Sequence, residues 1–270
     1  MTRILAIHAH PDDVEILAGG TLALLSAAGH ELTIATMTPG DCGSAEHTSE
    51  QIATIRLEEA RASAGLIQAA YLCCGFSDLA IFSDDSSRRR VTEVLRRARP
   101  DLVITAARTD YMADHETTSA LVRDACFAAP AVLYRTGAED PAPPLPAIPH
   151  LYFMDPLTGM DCDGKWIAPD FCVDVSPVFG LKRRMLEQHA SQRNWLRKQH
   201  GIDDYIQQME AATRAAGERF GVRYGEGFRR YRGHPYPQSP LLEELLGSKG
   251  IVTTVLDGRM PGPHPRRVCP

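Results

Sequence analysis

Apolar runs of two kinds alternate along the first half of the chain. Arg3–Ala9 reads as a strand built on the unbroken apolar run Ile4–Ile7, and Glu15–Ala28 reads as a helix ended by Gly29. The same succession then repeats. Glu31–Thr38 is a strand, Pro39–Ser44 a glycine-containing loop, and Ser49–Ala64 a helix with Ser49 as its N-cap and Gly65 just past its end. Ala70–Cys74 is a strand, and Asp84 or Asp85 caps a basic helix that runs to Arg99 and stops at Pro100. Asp101–Ala106 is a continuous apolar strand, followed by a helix over Asp114–Ala128. Strand–helix units of this length predict an α/β fold: a mostly parallel sheet with right-handed crossovers. Strands that are apolar throughout predict helices on both faces.

The pattern changes after residue 138. Asp140–Pro149 holds five prolines in ten residues, too rigid for regular structure, and is expected to be a surface loop or lid over 139–149. His150–Asp155 and Phe171–Val175 read as two further strands. Pro177–His200 reads as one long helix closed by Gly201, and Asp203–Phe220 as another. Gly221–Gly233 is aromatic and arginine-rich. The expectation is a single domain over 1–235 with a C-terminal helical extension. Residues 236–270 are expected to form a terminal helix and a poorly ordered tail.

Composition narrows the classes of function. The 270 residues are 44% hydrophobic and 23% charged, values of an ordinary soluble domain. No apolar stretch approaches the length of a membrane span. The N-terminus enters a strand directly, and seven cysteines show no CxxC or metal-finger spacing, so a cytoplasmic location with reduced thiols is expected. A net charge of −5 argues against a nucleic-acid partner, and the basic runs near Arg88 and Arg96 read as solvated helix faces. The Pro39–Ser44 loop fits neither dinucleotide-binding nor P-loop spacing, so no nucleotide cofactor is expected.

The chemistry concentrates at two strand ends. His10-Pro11-Asp12-Asp13 follows the first strand, where open α/β sheets bind ligands. Alone, His10 and Asp13 read as a half-buried histidine and a helix cap. Asp12 beside Asp13 changes that, because adjacent carboxylates repel unless a cation lies between them. Asp110-Tyr111-Met112-Ala113-Asp114-His115 occupies the equivalent place after the Asp101–Ala106 strand. His10, Asp13 and His115 are therefore the expected metal ligands, one Zn2+ per chain, with an open coordination position. The same triad on non-haem iron would suit oxygen chemistry. Asp12, a spare carboxylate placed to take a proton from water, favours hydrolysis.

Ala9-His10-Pro11-Asp12-Asp13-Val14-Glu15 with Gly19-Gly20-Thr21 resembles the LmbE-like (PIG-L) family of zinc-dependent N-acetylglucosamine deacetylases. Arg56-x-x-Glu59, Gly75-Phe76-Ser77-Asp78, Asp114-His115, Lys182 and His189-Ala190-Ser191-Gln192 extend the match in order, over about residues 3 to 232. The resemblance implies a Rossmann-like fold, the ligand set above, Asp12 as general base, and Arg56 and Asp78 as contacts to sugar hydroxyls. It also places Asp114 in support of a ligand, and homo-oligomers are common in the family. One position departs: many relatives carry a histidine three residues before the last ligand, where this chain has Met112. Tyr111, His189 or the metal itself would then stabilise the oxyanion, and Met112 would face the substrate. Within the family, the chain most resembles the deacetylases of teicoplanin-type glycopeptide pseudoaglycones. That implies an amphipathic glycoconjugate substrate, with apolar surface supplied by the 139–149 loop, Leu151, Tyr152, Phe153 and Trp166. Another aminosugar conjugate, a longer N-acyl substrate, or a weak sugar-binding relative remain alternatives.

Overall fold

Five strands, β1 (Arg3–His8), β2 (Glu31–Thr36), β3 (Ala70–Cys73), β4 (Leu102–Thr105) and β5 (His150–Met154), lie parallel in one sheet. Helices α1 (Asp13–Ala27), α2 (Ser49–Gly65), α3 (Asp85–Ala98) and α4 (Ala113–Ala128) provide the crossovers. The computed structural model describes residues 1–200, 205–247 and 250–253. Three antiparallel strands complete the sheet: β6 (Phe171–Asp174), β7 (Gly225–Arg230) and β8 (Ile251–Val252). Helices α5 (Phe179–Glu187), α6 (Ala190–His200) and α7 (Tyr205–Glu218) lie between β6 and β7, and α8 (Leu241–Leu246) follows β7. The strand order is β3-β2-β1-β4-β5-β7-β6-β8, so the order reverses between β1 and β4. That switch point is where a crevice opens at the carboxyl ends of the strands.

The expected α/β fold is present, and β1 shows why its strands are apolar throughout. Ile4 and Ala6 join one core with α1, α5 and α7, while Leu5 and Ile7 join the other with α3 and α4. Helix starts follow local chemistry. Thr48, not Ser49, caps α2 through a reciprocal capping box with Gln51, and Asp84 caps α3 by accepting from the Ser87 amide.

A junction inside α1 ties the two halves together. Lys182 of α5 is fully buried, and its Nζ donates to the Ile16 carbonyl at 2.7 Å and to Glu226 Oε1 at 2.6 Å. Glu226 of β7 in turn accepts from the amides of Gly20 and Thr21 and from the Thr21 hydroxyl. A Cβ at Gly20 would lie 2.6 Å from Val175 Cβ, so only glycine allows this approach. The Gly19-Gly20-Thr21 and Lys182 signatures thus serve packing.

Two expectations need correction, and a strand appears in a segment to which the sequence pattern assigns no element. The expected single helix over Pro177–His200 breaks between α5 and α6. There the Ser191 amide and hydroxyl both donate to Glu59 of α2, at 2.8 and 2.6 Å, and His189 turns inward. The Gly221–Gly233 segment contains a central strand, β7, whose two glycines disguised its alternation. The 139–149 segment is not a lid over the crevice. It connects the end of α4 to the start of β5, which fixes it at the amino end of the strands. There Leu145 donates to Ala129 and Ala142 to Glu93. Gly201 and the tail beyond residue 253 lie outside the described residues.

Candidate active site

The segments after β1 and β4 meet over the switch point and line a cavity of about 490 Å³. The chain leaves β1 through a tight turn in which Asp12 adopts φ 107°, a left-handed conformation that costs a non-glycine residue roughly 1–3 kcal/mol. Asp12 occupies the N-cap position of α1, yet its carboxylate caps nothing. It turns into the cavity instead, where Tyr205 donates to Oδ2 at 2.6 Å and Arg56 Nη2 lies 3.5 Å from the same oxygen. Burial pushes the Asp12 carboxyl up, and the Arg56 guanidinium works against that shift.

Asp13 is the hub of the cluster. Its Oδ2 lies 2.7 Å from His8 Nδ1, 3.3 Å from His10 Nδ1 and 3.4 Å from His115 Nε2, and accepts from the His10 amide at 2.8 Å. Burial opposes its charge, but the surrounding histidines prevail and hold its carboxyl well below the usual range. His115 presents its other nitrogen to Asp110, Nδ1 to Oδ1 at 3.1 Å. A carboxylate behind an imidazole in this way fixes the orientation of a metal-ligating histidine. His10 Nε2 lies 3.2 Å from Asp114 Oδ2, which also accepts from the Leu79 amide at 2.7 Å. Burial disfavours a charged His10, yet the Asp114 and Asp13 hydrogen bonds push it up to about 10. Burial pushes His8 down.

One ligand atom each from His8, Asp13 and His115 lies within 4.8 Å of the others, a spacing that one cation can bridge. Three imidazoles therefore surround the Asp13 carboxylate where the sequence suggested two. His8 sits two residues before His10, and residues two apart share a face of a strand, so the HxH spacing was an available signal. His8 Nε2 is buried and has no hydrogen-bond partner among the described residues. Nitrogen and carboxylate donors at this spacing, in a pocket rich in carboxylates, fit a divalent transition metal.

Arg56 and Asp78 both line the cavity, but each is already engaged. Arg56 donates to the Pro11 carbonyl at 2.7 Å and reaches the Gly40 carbonyl at 3.4 Å. Its guanidinium fills the space that a side chain at Gly40 would need, which is what the glycine loop provides. Asp78 accepts from the Thr38 hydroxyl and the Cys42 amide. Tyr111 and Met112 line the mouth of the cavity, Tyr111 73% exposed with its ring edge-on to His115.

His189 is not where an oxyanion donor would be. It is fully buried behind the cavity, Nε2 3.3 Å from Glu15 Oε1, because the α5–α6 break turns it toward α1. The apolar surface also has a different source from the expected one. Leu151, Tyr152 and Phe153 are core residues, and Trp166 packs beneath Arg219. Ile16, Leu17, Leu157, Trp195, Leu196 and Met209 form the apolar wall. Tyr205 carried no signal in the sequence, since it reads as an ordinary core-facing aromatic at the start of an amphipathic helix.

A family model described as "PIG-L: GlcNAc-PI de-N-acetylase" matches residues 5–126. A 4-oxalmesaconate hydratase of Pseudomonas putida is 25% identical over 198 residues, covering 70% of this chain and 74% of that protein. A diacetylchitobiose deacetylase of Thermococcus kodakarensis is 25% identical over 244 residues, covering 84% and 82%. The crystal structure of a deacetylase from the teicoplanin biosynthesis pathway superposes with a TM-score of 0.59 at 17% identity, covering 86% of this chain and 99% of that one. At that identity it shares the fold.

Proposed function

We propose that this chain, for which the family-model match and the structural neighbours support membership of the PIG-L family, hydrolyses the N-acetyl amide of an acetamido sugar to acetate and a free amine. The observation that carries the reading is the divergence of two adjacent carboxylates. Asp13 turns into a nest of imidazoles, and the strained Asp12 turns away from its helix into the cavity. Asp13, His115 and a histidine from the end of β1 would hold a zinc-type ion; the resemblance assigns that histidine to His10, and His8 lies at ligand spacing. When bound, such an ion supplies Lewis-acid chemistry, polarising the acetyl carbonyl and lowering the pKa of a water toward ~7. Asp12 takes the proton from the attacking water and returns it to the departing amine. Tyr111, a phenol at the cavity mouth, replaces the donor that Met112 lacks.

The substrate we propose is amphipathic: an acetamido sugar facing Arg56, Asp78 and Gln192, joined to an apolar group against Leu17, Leu157, Trp195 and Leu196. A glycopeptide pseudoaglycone is one such molecule, and it is our finer proposal. Charge separates this reading from hydration of a polycarboxylate. Apart from histidines, the lining residues include one cation among the described residues, Arg56, and its guanidinium is occupied by Pro11, Gly40 and Asp12.

The test is amine release from N-acetylglucosamine, diacetylchitobiose and a teicoplanin-type pseudoaglycone, with and without chelator. Release that a chelator abolishes and zinc restores supports the proposal. Preference for the pseudoaglycone supports its finer part. Metal-loaded protein that releases amine from none of the three contradicts it.

A further inference from the structure

Tyr205 opens α7 and is only 6% exposed, packed with the core on the α1 face of the sheet. Its hydroxyl reaches across 193 positions of sequence to donate to Asp12 Oδ2 at 2.6 Å. A phenylalanine would fill the same space, so packing does not require the hydroxyl. The partner does. Asp12 lies in a left-handed turn and makes no capping bond, so its own backbone leaves the carboxylate free to turn about its last torsion. That torsion is broad and roughly two-fold, and an unheld carboxylate would swing through it with neither oxygen kept on a fixed line into the cavity. Tyr205 and Arg56 both converge on Oδ2, and Oδ1 accepts no hydrogen bond among the described residues.

We propose that Tyr205 is a positioning residue: its hydroxyl locks the Asp12 carboxylate through Oδ2 and so makes Oδ1 the oxygen that takes the proton. The inference rests on Asp12 being the general base. It places the base in the segment after β1 and its restraint in the C-terminal helices, outside the 5–126 family match. Loss of alignment at a reacting group is costly even when the group itself remains.

The experiment compares Tyr205→Phe, Asp12→Asn and the double variant for metal content, melting temperature, kcat and KM on an acetamido sugar substrate. The expected result for Tyr205→Phe is unchanged metal content and KM, a melting temperature lower by a few degrees, and kcat roughly 10- to 100-fold lower, the range for one hydrogen bond to a charged group. In the Asp12→Asn background, the same change should have no further effect on the residual rate. Tyr205→Phe with wild-type kcat beside a disabled Asp12→Asn overturns this inference and leaves the base assignment standing. Losses that multiply in the double variant overturn it as well, since Tyr205 would then act on the substrate directly. Full turnover in Asp12→Asn would remove the base reading itself.

Discussion

Lys182→Met would test how the two halves of the molecule are joined. Methionine keeps most of the stem but removes an ammonium that is wholly buried against Glu226 Oε1 at 2.6 Å and the Ile16 carbonyl at 2.7 Å. Glu226 would keep its three bonds from Gly20 and Thr21 but lose its counter-charge, in a site with 2% side-chain exposure. Breaking a buried pair from one side costs about 3–5 kcal/mol, because the remaining charge is uncompensated. At roughly 2–4 °C per kcal/mol for a domain of this size, the melting temperature should fall by roughly 6–20 °C. Adding Glu226→Gln should recover part of that loss, since the amide oxygen still accepts from α1 while the stranded charge is gone. Thermal melts of the three variants read the answer. A Lys182→Met protein melting within about 2 °C of wild type would refute the claim that this pair secures α1.

Further consequences follow from the surroundings of the site. Glu59→Ala removes the acceptor that holds Ser191 at the start of α6, at a cost of about 1 kcal/mol by analogy with helix capping. Because α6 carries Gln192, Trp195 and Leu196 to the cavity, KM should rise several-fold with little change in kcat, and steady-state kinetics checks both. Burial pushes the Asp155 carboxyl up to about 7, against the pull of Arg229. Between pH ~4 and ~7 the unfolded chain releases this proton and the folded one retains it, so the group makes stability fall as pH rises, by up to ~1.4 kcal/mol per unit. Asp155→Asn should remove that component, so its melting temperature should gain on wild type from pH 4 to 7. Parallel melting profiles would contradict this.

The parallel half of the fold was legible because its strands are apolar on both faces and its helices end at glycine or proline. β7 was not, since Gly225 and Gly227 leave no alternation to read. The α5–α6 break was not either: no proline or glycine marks it, and its cause is Glu59, more than a hundred positions away. The metal-ligand region was legible as far as residue types and strand ends define it, through Asp12, Asp13 and His115. His8 was not legible, because a strand-terminal histidine ordinarily belongs to the core. Topology, already implied by the strand–helix alternation, decided the fate of the proline-rich segment. A connection from a helix to the next parallel strand lies at the amino end of the sheet, away from any ligand crevice. The apolar wall came from α1, α6 and α7, whose convergence no local pattern encodes.

The central claim is that Asp13 and Asp12 divide metal holding from proton transfer. Metal content and amine release measured together on Asp12→Asn and His115→Ala test it most directly. Asp12→Asn is expected to keep its metal and lose turnover, while His115→Ala is expected to lose both. Wild-type turnover in Asp12→Asn, or full metal content in His115→Ala, would contradict it.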